Sequence, residues 1–358
     1  MKITRIETIP VAIPLLRPMN IASGVVPAGN HVVIRVHTDE GLVGLGEASP
    51  VASTDADTQR SIVSVIADRI VPRLVGRDAR QITFLVDEMD KAVPGHQCAK
   101  AGIDIALHDL VATSLGVPVY QLLGGRCRHH ANTQEADIWI DTPEAMALSA
   151  GEARRRGVTA FEVKIGTDPK LDIERVRAVR QAIGPDARMR VDCNEGYDSG
   201  TALKTLRAME QFDLDYIEQP LPRWDFRAMA CLASALDTPI CADQGAYTPH
   251  DVFNLLAIGG ADLICIKVAK SGLLRASQIH ATARSAGVKC TLGSMLPLGI
   301  GAAAIQHFAL SAPGVDVALS GVYGSALDYF TDDLVTPDSD VGLGVTIDEA
   351  KLSLYAVR

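Results

Sequence analysis

Hydrophobic and polar positions alternate through most of the first 50 residues, which predicts β-strands. The segment KITRIETIPVAI alternates, and HVVIRVHTDEGLVGLGEA predicts two strands joined by a turn at residues 39–41. Residues 56–125 instead space their apolar positions at helical intervals, as in TQRSIVSVIADRIVPRLV and AKAGIDIALHDLVATSLG. Strands followed by helices predict an α+β domain over residues 1–125.

A strand–helix repeat begins after residue 125. Amphipathic stretches such as DIERVRAVRQAIG follow short apolar runs, which are AFEVKIG, MRVDCNEG, DYIEQPL, PICADQG, DLICIKVAKSG and VKCTLGSM. Alternation of this kind over roughly 200 residues predicts parallel βαβ units that close into a barrel over residues 126–320. An open doubly wound sheet is the alternative, but no G-x-G-x-x-G opens these helices. Residues 321–358 leave the repeat and are predicted to return to the N-terminal domain.

Composition limits the class of protein. The chain has 358 residues, of which 47% are hydrophobic and 22% are charged, as in ordinary soluble globular proteins. The net charge of −9 disfavours nucleic-acid binding, which calls for a basic face. The apolar stretch at the N-terminus is too broken for a signal peptide and too short for a membrane span. Seven scattered cysteines without a C-x-x-C pair predict reduced thiols, and we expect a cytoplasmic protein.

Five charged residues end the apolar runs of successive repeat units: Lys164, Asp192, Glu218, Asp243 and Lys267. Because the carboxyl ends of parallel strands meet at one rim of a barrel, we expect these side chains to lie side by side there. Three converging carboxylates repel one another and take up protons unless a cation neutralises them. An all-oxygen ligand set favours Mg²⁺, or Mn²⁺, over zinc.

The two lysines flank the carboxylates, on the second and sixth strands of the predicted barrel. A nearby divalent cation lowers the pKa of a lysine, so that it can act as a general base near neutral pH. Two such lysines could remove a proton from one face of a carbon and return one to the other face. Other roles stay open, because a single carboxylate can cap the next helix and a single lysine can form a salt bridge. We expect Lys270 to lie in a loop outside the site.

The ordered motifs of the chain resemble those of the enolase superfamily and, within it, the muconate-lactonizing-enzyme (muconate cycloisomerase) subgroup of the mandelate racemase/muconate lactonizing enzyme family. The matching motifs are KIG at 164–166, VDCN at 191–194, IEQP at 217–220, ADQ at 242–244, IKVAKSG at 266–272, GSM at 293–295 and GLG at 342–344, with GHQCAKAGIDIALHDL and LLGG before them. The resemblance implies an α/β fold, a modified (β/α)₇β TIM-like barrel with an N-terminal α+β capping domain that the C-terminal segment completes.

The same resemblance implies roles for the residues at the strand ends. It implies Mg²⁺ bound by Asp192, Glu218 and Asp243. It also implies that Lys164 and Lys267 are acid/base catalysts, acting on a small carboxylate substrate through an enediolate intermediate. The implied assembly is a homo-oligomer, an octamer or a smaller symmetric form. Four more residues are candidates for contacts to the substrate or to the catalytic groups: Asn194, Gln244, Ser294 and Met295.

Three departures from the family pattern bear on function. Glu162 stands where the subgroup usually has the first lysine of Lys-x-Lys, on the same strand face as Lys164, so we expect the two to interact directly. Gln244 stands where a glutamate commonly follows the third ligand. In the eighth strand, Ala318 and Ser320 replace the paired aspartates of dipeptide epimerases, and the muconate enzymes usually have glutamate at position 318. The sequence therefore favours neither a dipeptide nor muconate as the substrate.

The retained lysine pair favours a Mg²⁺-dependent isomerase, which would be a racemase, an epimerase or a cycloisomerase. A dehydratase (a lyase) of a β-hydroxy acid shares the first step and is the alternative enzyme. A diverged barrel that binds without catalysis is a third possibility, favoured only by Glu162. By resemblance, the loops at residues 20–30 and 48–54 are expected to contact the rest of the substrate. The first of these loops carries no charge, which favours an apolar or neutral substrate tail.

Overall fold

The N-terminal part is an antiparallel sheet covered by helices, in a computed structural model that describes residues 1–51, 57–129, 135–316, 329–338 and 340–357. Its strands pair in chain order and are β1 (Ile3–Ile21), β2 (Gly24–Thr38) and β3 (Val43–Ala48). Its helices are α1 (Gln59–Val65), α2 (Val71–Leu74), α3 (Ile82–Ala92), α4 (Gln97–Leu115) and α5 (Val119–Leu122), with a π-helical turn between α1 and α2. The strands and helices predicted for this region are confirmed.

The sheet and α4 are in close contact because β3 carries two glycines that face the helix. A Cβ atom at Gly44 would lie 2.1 Å from the carbonyl oxygen of Ala106, and one at Gly46 would lie 2.0 Å from that of Gly102. Real side chains do not come so close, so these glycines let the helix backbone rest on the strand. Residues 98–112 of α4 are buried between this sheet and the rest of the molecule.

Among the described residues, the barrel comprises seven strand–helix units. They are β4 (Glu135–Ile138) and α6 (Pro143–Arg155), β5 (Ala160–Lys164) and α7 (Pro169–Ile183), β6 (Arg188–Asp192) and α8 (Ser199–Met209), β7 (Ile217–Glu218) and α9 (Phe226–Ala235), β8 (Ile240–Ala242) and α10 (Pro249–Ala257), β9 (Leu263–Ile266) and α11 (Val268–Ser285), and β10 (Lys289–Leu292) and α12 (Gly299–Ser311). The strands are parallel and pair in chain order. Asp316 pairs with Thr291 as a parallel bridge, where an eighth strand would follow β10. This is the (β/α)₇β arrangement that the family resemblance implied.

The C-terminal residues pack on the N-terminal sheet. They form β11 (Val335–Pro337), β12 (Val345–Ile347) and α13 (Glu349–Tyr355). Val357 N donates to the carbonyl oxygen of Pro10 (2.8 Å), and Arg35 of β2 forms an ion pair with Glu349 (2.5 Å). The domain boundary proposed between residues 320 and 321 lies outside the described residues.

Residues 20–30 form the end of the β1–β2 hairpin, so the expectation of a loop there is wrong. Met19 pairs with Val26, and Ile21 pairs with Gly24 across a tight turn. The pairing register shifts between Pro14 and Met19, where prolines interrupt the alternation. That interruption hid the long strands in the sequence.

In the described part of the chain, no helix is both long enough and apolar enough to cross a membrane. All seven cysteines are free thiols. Five of them are buried, as is common for reduced cysteine.

A carboxylate of α4 caps a barrel helix and ties the two parts of the molecule together. Helix α11 is interrupted at Gly272 (φ 69°), and the buried Asp104 accepts hydrogen bonds there from the backbone N–H groups of Leu273 and Leu274. Because Asp104→Ala leaves these donors without that acceptor, we expect it to lower the free energy of unfolding by about 2 kcal/mol. Urea denaturation followed by circular dichroism measures this loss. The matched control, Asp198→Ala at the exposed N-cap of α8, should lower the free energy of unfolding by about 1 kcal/mol. Equal losses in the two variants would contradict a role of Asp104 in joining the two parts of the molecule.

Candidate active site

The five charged residues predicted from the repeat lie together at the carboxyl ends of five consecutive strands. Lys164, Glu218, Asp243 and Lys267 line one cavity. Asp192 joins them from β6, since its Oδ2 lies 2.7 Å from Lys164 Nζ. All five are buried or nearly so, because helices cover the barrel outside and the N-terminal hairpin covers its mouth.

The three carboxylates have different partners. Asp192 accepts hydrogen bonds from Asn194 through its backbone N–H (2.9 Å) and its amide nitrogen (2.8 Å). Among the described residues, the ion-pair partner of Glu218 is Lys267, at 3.9 Å. Burial and the Asp192 carboxylate raise the pKa of Glu218 to about 8. Burial opposes ionisation of Asp243, but Lys267 and Lys270 outweigh it and lower the pKa of Asp243 to about 2. Negative charge is therefore only partly neutralised by the lysines of the site.

The two predicted lysines are both held by carboxylates. Lys164 donates to Glu162 and to Asp192, so the interaction expected from strand alternation is present. Lys267 Nζ lies 2.6 Å from Asp243 Oδ2. Burial alone would lower the pKa of each lysine, but the neighbouring carboxylates raise both pKa values well above the usual range. These ion pairs therefore favour the ammonium form of both lysines.

Lys270 belongs to the site, and the expectation that it lies in a loop outside it is wrong. Helix α11 begins directly after Lys267, so one turn brings Lys270 back over the strand ends. Its Nζ lies 2.6 Å from Asp243 Oδ1 and 5.1 Å from the ring centre of Tyr247. Asp243 thus holds one lysine on each carboxylate oxygen. The i, i+3 spacing of Lys267 and Lys270 was the signal that could have identified it.

The four residues named as further candidates also line the cavity: Asn194, Gln244, Ser294 and Met295. Two of them carry buried amide oxygens, Asn194 Oδ1 and Gln244 Oε1, that accept no hydrogen bond from the described residues. Buried polar atoms are seldom left unpaired, so these two oxygens indicate that a ligand or ion completes the site.

Sequence reasoning missed residues one step below the strand ends or on neighbouring loops. Asp137, Trp139, Arg190 and Tyr247 line the cavity, and Glu162 does so as well. Arg190 lies two positions before Asp192, and Glu162, which the sequence already marked as a departure from the family pattern, lies two positions before Lys164. The alternation of strand side chains was the available signal.

Unusual backbone conformations follow two of the carboxylates. Asn194 (φ 41°), Glu195 (φ 68°) and Gln219 (φ 34°) have left-handed backbones, which non-glycine residues seldom adopt. Gln219 Oε1 accepts hydrogen bonds from the backbone N–H groups of Asp243 and Gly245, each at 2.9 Å. The strained turn after β7 therefore fixes the position of the carboxylate at the end of β8.

The donor set fits a hard divalent cation. Glu218, Asp243 and Cys265 bring one donor atom each within 4.8 Å of one another, a group of described residues that does not include Asp192. Burial and nearby carboxylates raise the pKa of Cys265 well above its usual range, so it stays a thiol and offers little to Mg²⁺. The neighbouring carboxylates that raise the pKa of Glu218 and the unpaired amide oxygens are features that fit a bound divalent cation.

The cover of the cavity is apolar. Met19, Ile21 and Val26 of the hairpin line it, together with Val51. Within the second segment expected to contact substrate, residues 52–54 lie outside the described residues, as do Ala318 and Ser320 of the eighth strand.

Comparisons with known proteins agree over nearly the whole chain. Residues 3–124 match the family described as mandelate racemase/muconate lactonizing enzyme, N-terminal domain, and residues 145–351 match the family described as enolase C-terminal domain-like. The chain is 35% identical to L-Ala-D/L-Glu epimerase of Bacillus subtilis over 317 residues, which are 87% of this chain and 86% of the relative. It is 33% identical to muconate cycloisomerase 1 of Rhodococcus opacus over 322 residues, 88% of this chain and 86% of the relative.

A solved structure extends this similarity to the fold. The crystal structure of N-succinyl Arg/Lys racemase from Bacillus cereus superimposes with a TM-score of 0.93 at 32% identity, covering 100% of this chain and 99% of that one. The sequence of that racemase aligns with the chain from end to end, over 364 aligned positions. Similarity at this level covers both the N-terminal domain and the barrel.

Proposed function

The chain belongs to the mandelate racemase/muconate lactonizing enzyme family of the enolase superfamily, and we propose that it is a Mg²⁺-dependent isomerase that moves the α-proton of a small carboxylate substrate. Its relatives are named epimerases, racemases and cycloisomerases, and it is an isomerase of the same type. The observation that carries the proposal is a pair of lysines that flank three buried carboxylates: Glu218 and Asp243 line the cavity with both lysines, and Asp192 binds Lys164.

Asp192, Glu218 and Asp243 are the residues that would hold Mg²⁺. When bound, Mg²⁺ supplies positive charge beside the substrate carboxylate, which makes the neighbouring C–H bond more acidic. The carboxylate of Asp243 is at present shared by Lys267 and Lys270. Sharing it with a cation weakens the ion pair that keeps Lys267 protonated, so its pKa falls toward the range of a general base.

The two lysines would perform the proton transfers. The neutral amine of Lys267 accepts the α-proton from one face of the substrate, and the ammonium of Lys164 returns a proton to the opposite face. One proton leaves and one arrives, so the substrate changes configuration without a change in charge. Lys164 is the lysine that carries the proton to be returned, because Glu162 and Asp192 both stabilise its ammonium form.

The rest of the substrate is proposed to be apolar or neutral. The hairpin residues Met19, Ile21 and Val26 and the nearby Val51 present no charge to the cavity. A charged tail against this cover would lose its hydration without gaining a partner there.

Hydrogen exchange in D₂O tests the proposed activity. The enzyme with Mg²⁺ is incubated with dipeptides, N-succinyl amino acids, muconate and β-hydroxy acids, and the recovered substrates are examined by proton NMR. We expect loss of the α-proton signal and formation of the other stereoisomer for at least one carboxylate with an apolar tail. Elimination with little exchange in recovered substrate would indicate a dehydratase. No exchange with intact Mg²⁺ binding would indicate a non-catalytic barrel.

We also propose that the chain forms a homo-oligomer. Large apolar side chains lie exposed on the barrel exterior, with Trp224 77% exposed and Phe253 65% exposed. Burial of such groups between subunits is favourable. Light scattering at micromolar concentration should give a multiple of the monomer mass, and a monomer mass would contradict the proposal.

A further inference from the structure

A chain of alternating charges runs from the barrel interior up to Lys164. Arg190 donates through one terminal nitrogen to Glu135 Oε1 and through the other to Glu162 Oε2. The second oxygen of the same carboxylate, Glu162 Oε1, accepts from Lys164 Nζ, which also donates to Asp192 Oδ2. Each internal member thus has a partner of opposite charge on both sides.

The chain is buried and is held by the strand register. The side chain of Glu135 is 0% exposed, that of Arg190 is 6% exposed and that of Glu162 is 10% exposed. Glu162 and Arg190 are direct partners in the β5–β6 pairing. The guanidinium of Arg190 also lies 5.4 Å from the ring centre of Tyr216, at the start of the next strand. Arg190 is therefore held from three strands or strand ends, and its planar fork can reach two carboxylates at once.

The arrangement explains how Glu162 is tolerated where a lysine is expected. Without Arg190, a carboxylate at position 162 would be free to rotate away from Lys164 or to take up a proton in this buried site. Arg190 engages one of its oxygens and leaves the other facing Lys164. The cation missing from position 162 is thus supplied from the neighbouring strand, one layer below the reacting groups.

We propose that Arg190 is a positioning residue for the proton transfers, acting on Lys164 through the Glu162 carboxylate. In this role it acts through Glu162 rather than on the reacting atoms. It fixes the orientation of Glu162, and Glu162 fixes the ammonium of Lys164 on one side of the cavity. Lys267 lies on the other side and is held by Asp243, so it does not depend on Arg190. This inference rests on the proposed function for its catalytic consequence only.

The consequence is a one-sided loss of catalysis. In D₂O, the enantiomer that no longer exchanges its α-proton in Lys164→Ala is the one on which Lys164 acts. Arg190→Gln should slow exchange of that same enantiomer by about tenfold or more, which corresponds to ~1.4 kcal/mol or more. It should change exchange of the other enantiomer by less than about threefold. Arg190→Lys, which keeps the charge but reaches one carboxylate at a time, should lie between Arg190→Gln and the wild type. The control Arg188→Gln removes an exposed arginine of the same strand and should leave both rates unchanged.

A second measurement reads the position of Lys164 without catalysis. In protein carrying ¹³C,¹⁵N-labelled lysine, the side-chain NMR signals of Lys164 and Lys267 are assigned with the two alanine variants. Arg190→Gln and Arg190→Lys should shift or broaden the Lys164 signal and leave that of Lys267 in place. An unchanged Lys164 signal in a folded variant overturns the proposal, and so does an equal loss of exchange for both enantiomers.

The two measurements separate this inference from the proposed activity. If the wild-type enzyme exchanges no α-proton, the proposed isomerase activity fails, while the NMR signals still decide whether Arg190 positions Lys164. If Arg190→Gln does not fold, the same readouts are taken from Arg190→Lys, which keeps the buried positive charge that Glu135 and Glu162 require.

Discussion

Replacing Lys267 with alanine should slow α-proton exchange for one enantiomer of the substrate by about 10³-fold or more, because it removes the general base. Lys267 is bound by Asp243, a carboxylate that it would share with Mg²⁺ in the working enzyme. Lys164 has Glu162 as an additional partner, outside the set of proposed metal ligands. A cation bound by Asp243 would therefore weaken the ion pair of Lys267 more completely than that of Lys164, and we expect Lys267 to be the stronger base in the resting enzyme.

Lys164→Ala should act differently. It removes the acid that returns the proton, so conversion between enantiomers falls by about 10²-fold or more, while Lys267 still exchanges the α-proton on its own face. The measurement is exchange of each pure enantiomer in D₂O with each variant, at saturating Mg²⁺. If Lys267→Ala kept full exchange on both enantiomers while Lys164→Ala lost it, the order of the two lysines would be refuted and Glu162 would have no effect on Lys164.

Replacing Glu218 with glutamine should lower the affinity for Mg²⁺ by more than about tenfold, which corresponds to ~1.4 kcal/mol. The amide keeps the shape of the side chain and removes the charge that attracts a hard cation. Glu218 is also the carboxylate with the weakest pairing to a lysine, at 3.9 Å, so it has the most to gain from a cation. Titration of the metal-free protein with Mg²⁺ by isothermal calorimetry gives the affinity directly.

A matched substitution controls for the loss of one negative charge. Glu195 is a glutamate near the same rim, and it is bound to Arg223 through both of its oxygens. Glu195→Gln should leave Mg²⁺ affinity within about twofold of the wild type, since it removes charge without removing a ligand. Unchanged Mg²⁺ binding in Glu218→Gln would show that the assignment of Glu218 as a ligand is wrong.

The sequence by itself determined the architecture and the ring of charges. Equivalent positions of a parallel barrel recur once per strand–helix unit. The five charged residues between Lys164 and Lys267 follow one another at intervals of 24 to 28 positions, so they had to meet at one rim. The apolar runs that they terminate identified the strands, and the absence of a phosphate-binding glycine pattern left the barrel as the better choice. Local periodicity carries this information because it depends only on which face of each element is buried.

Only the tertiary structure decided which charged groups pair, because those contacts join strands that are distant in sequence. Periodicity could not show that Arg190 lies between Glu135 and Glu162, or that Asp192 binds Lys164. Nor could it show that the uncharged segment 20–30 is a hairpin over the barrel mouth, since proline interrupted its pattern. The reason is physical: spacing along the chain fixes the strand on which a side chain lies, whereas the position and partner of its charged end depend on packing in three dimensions.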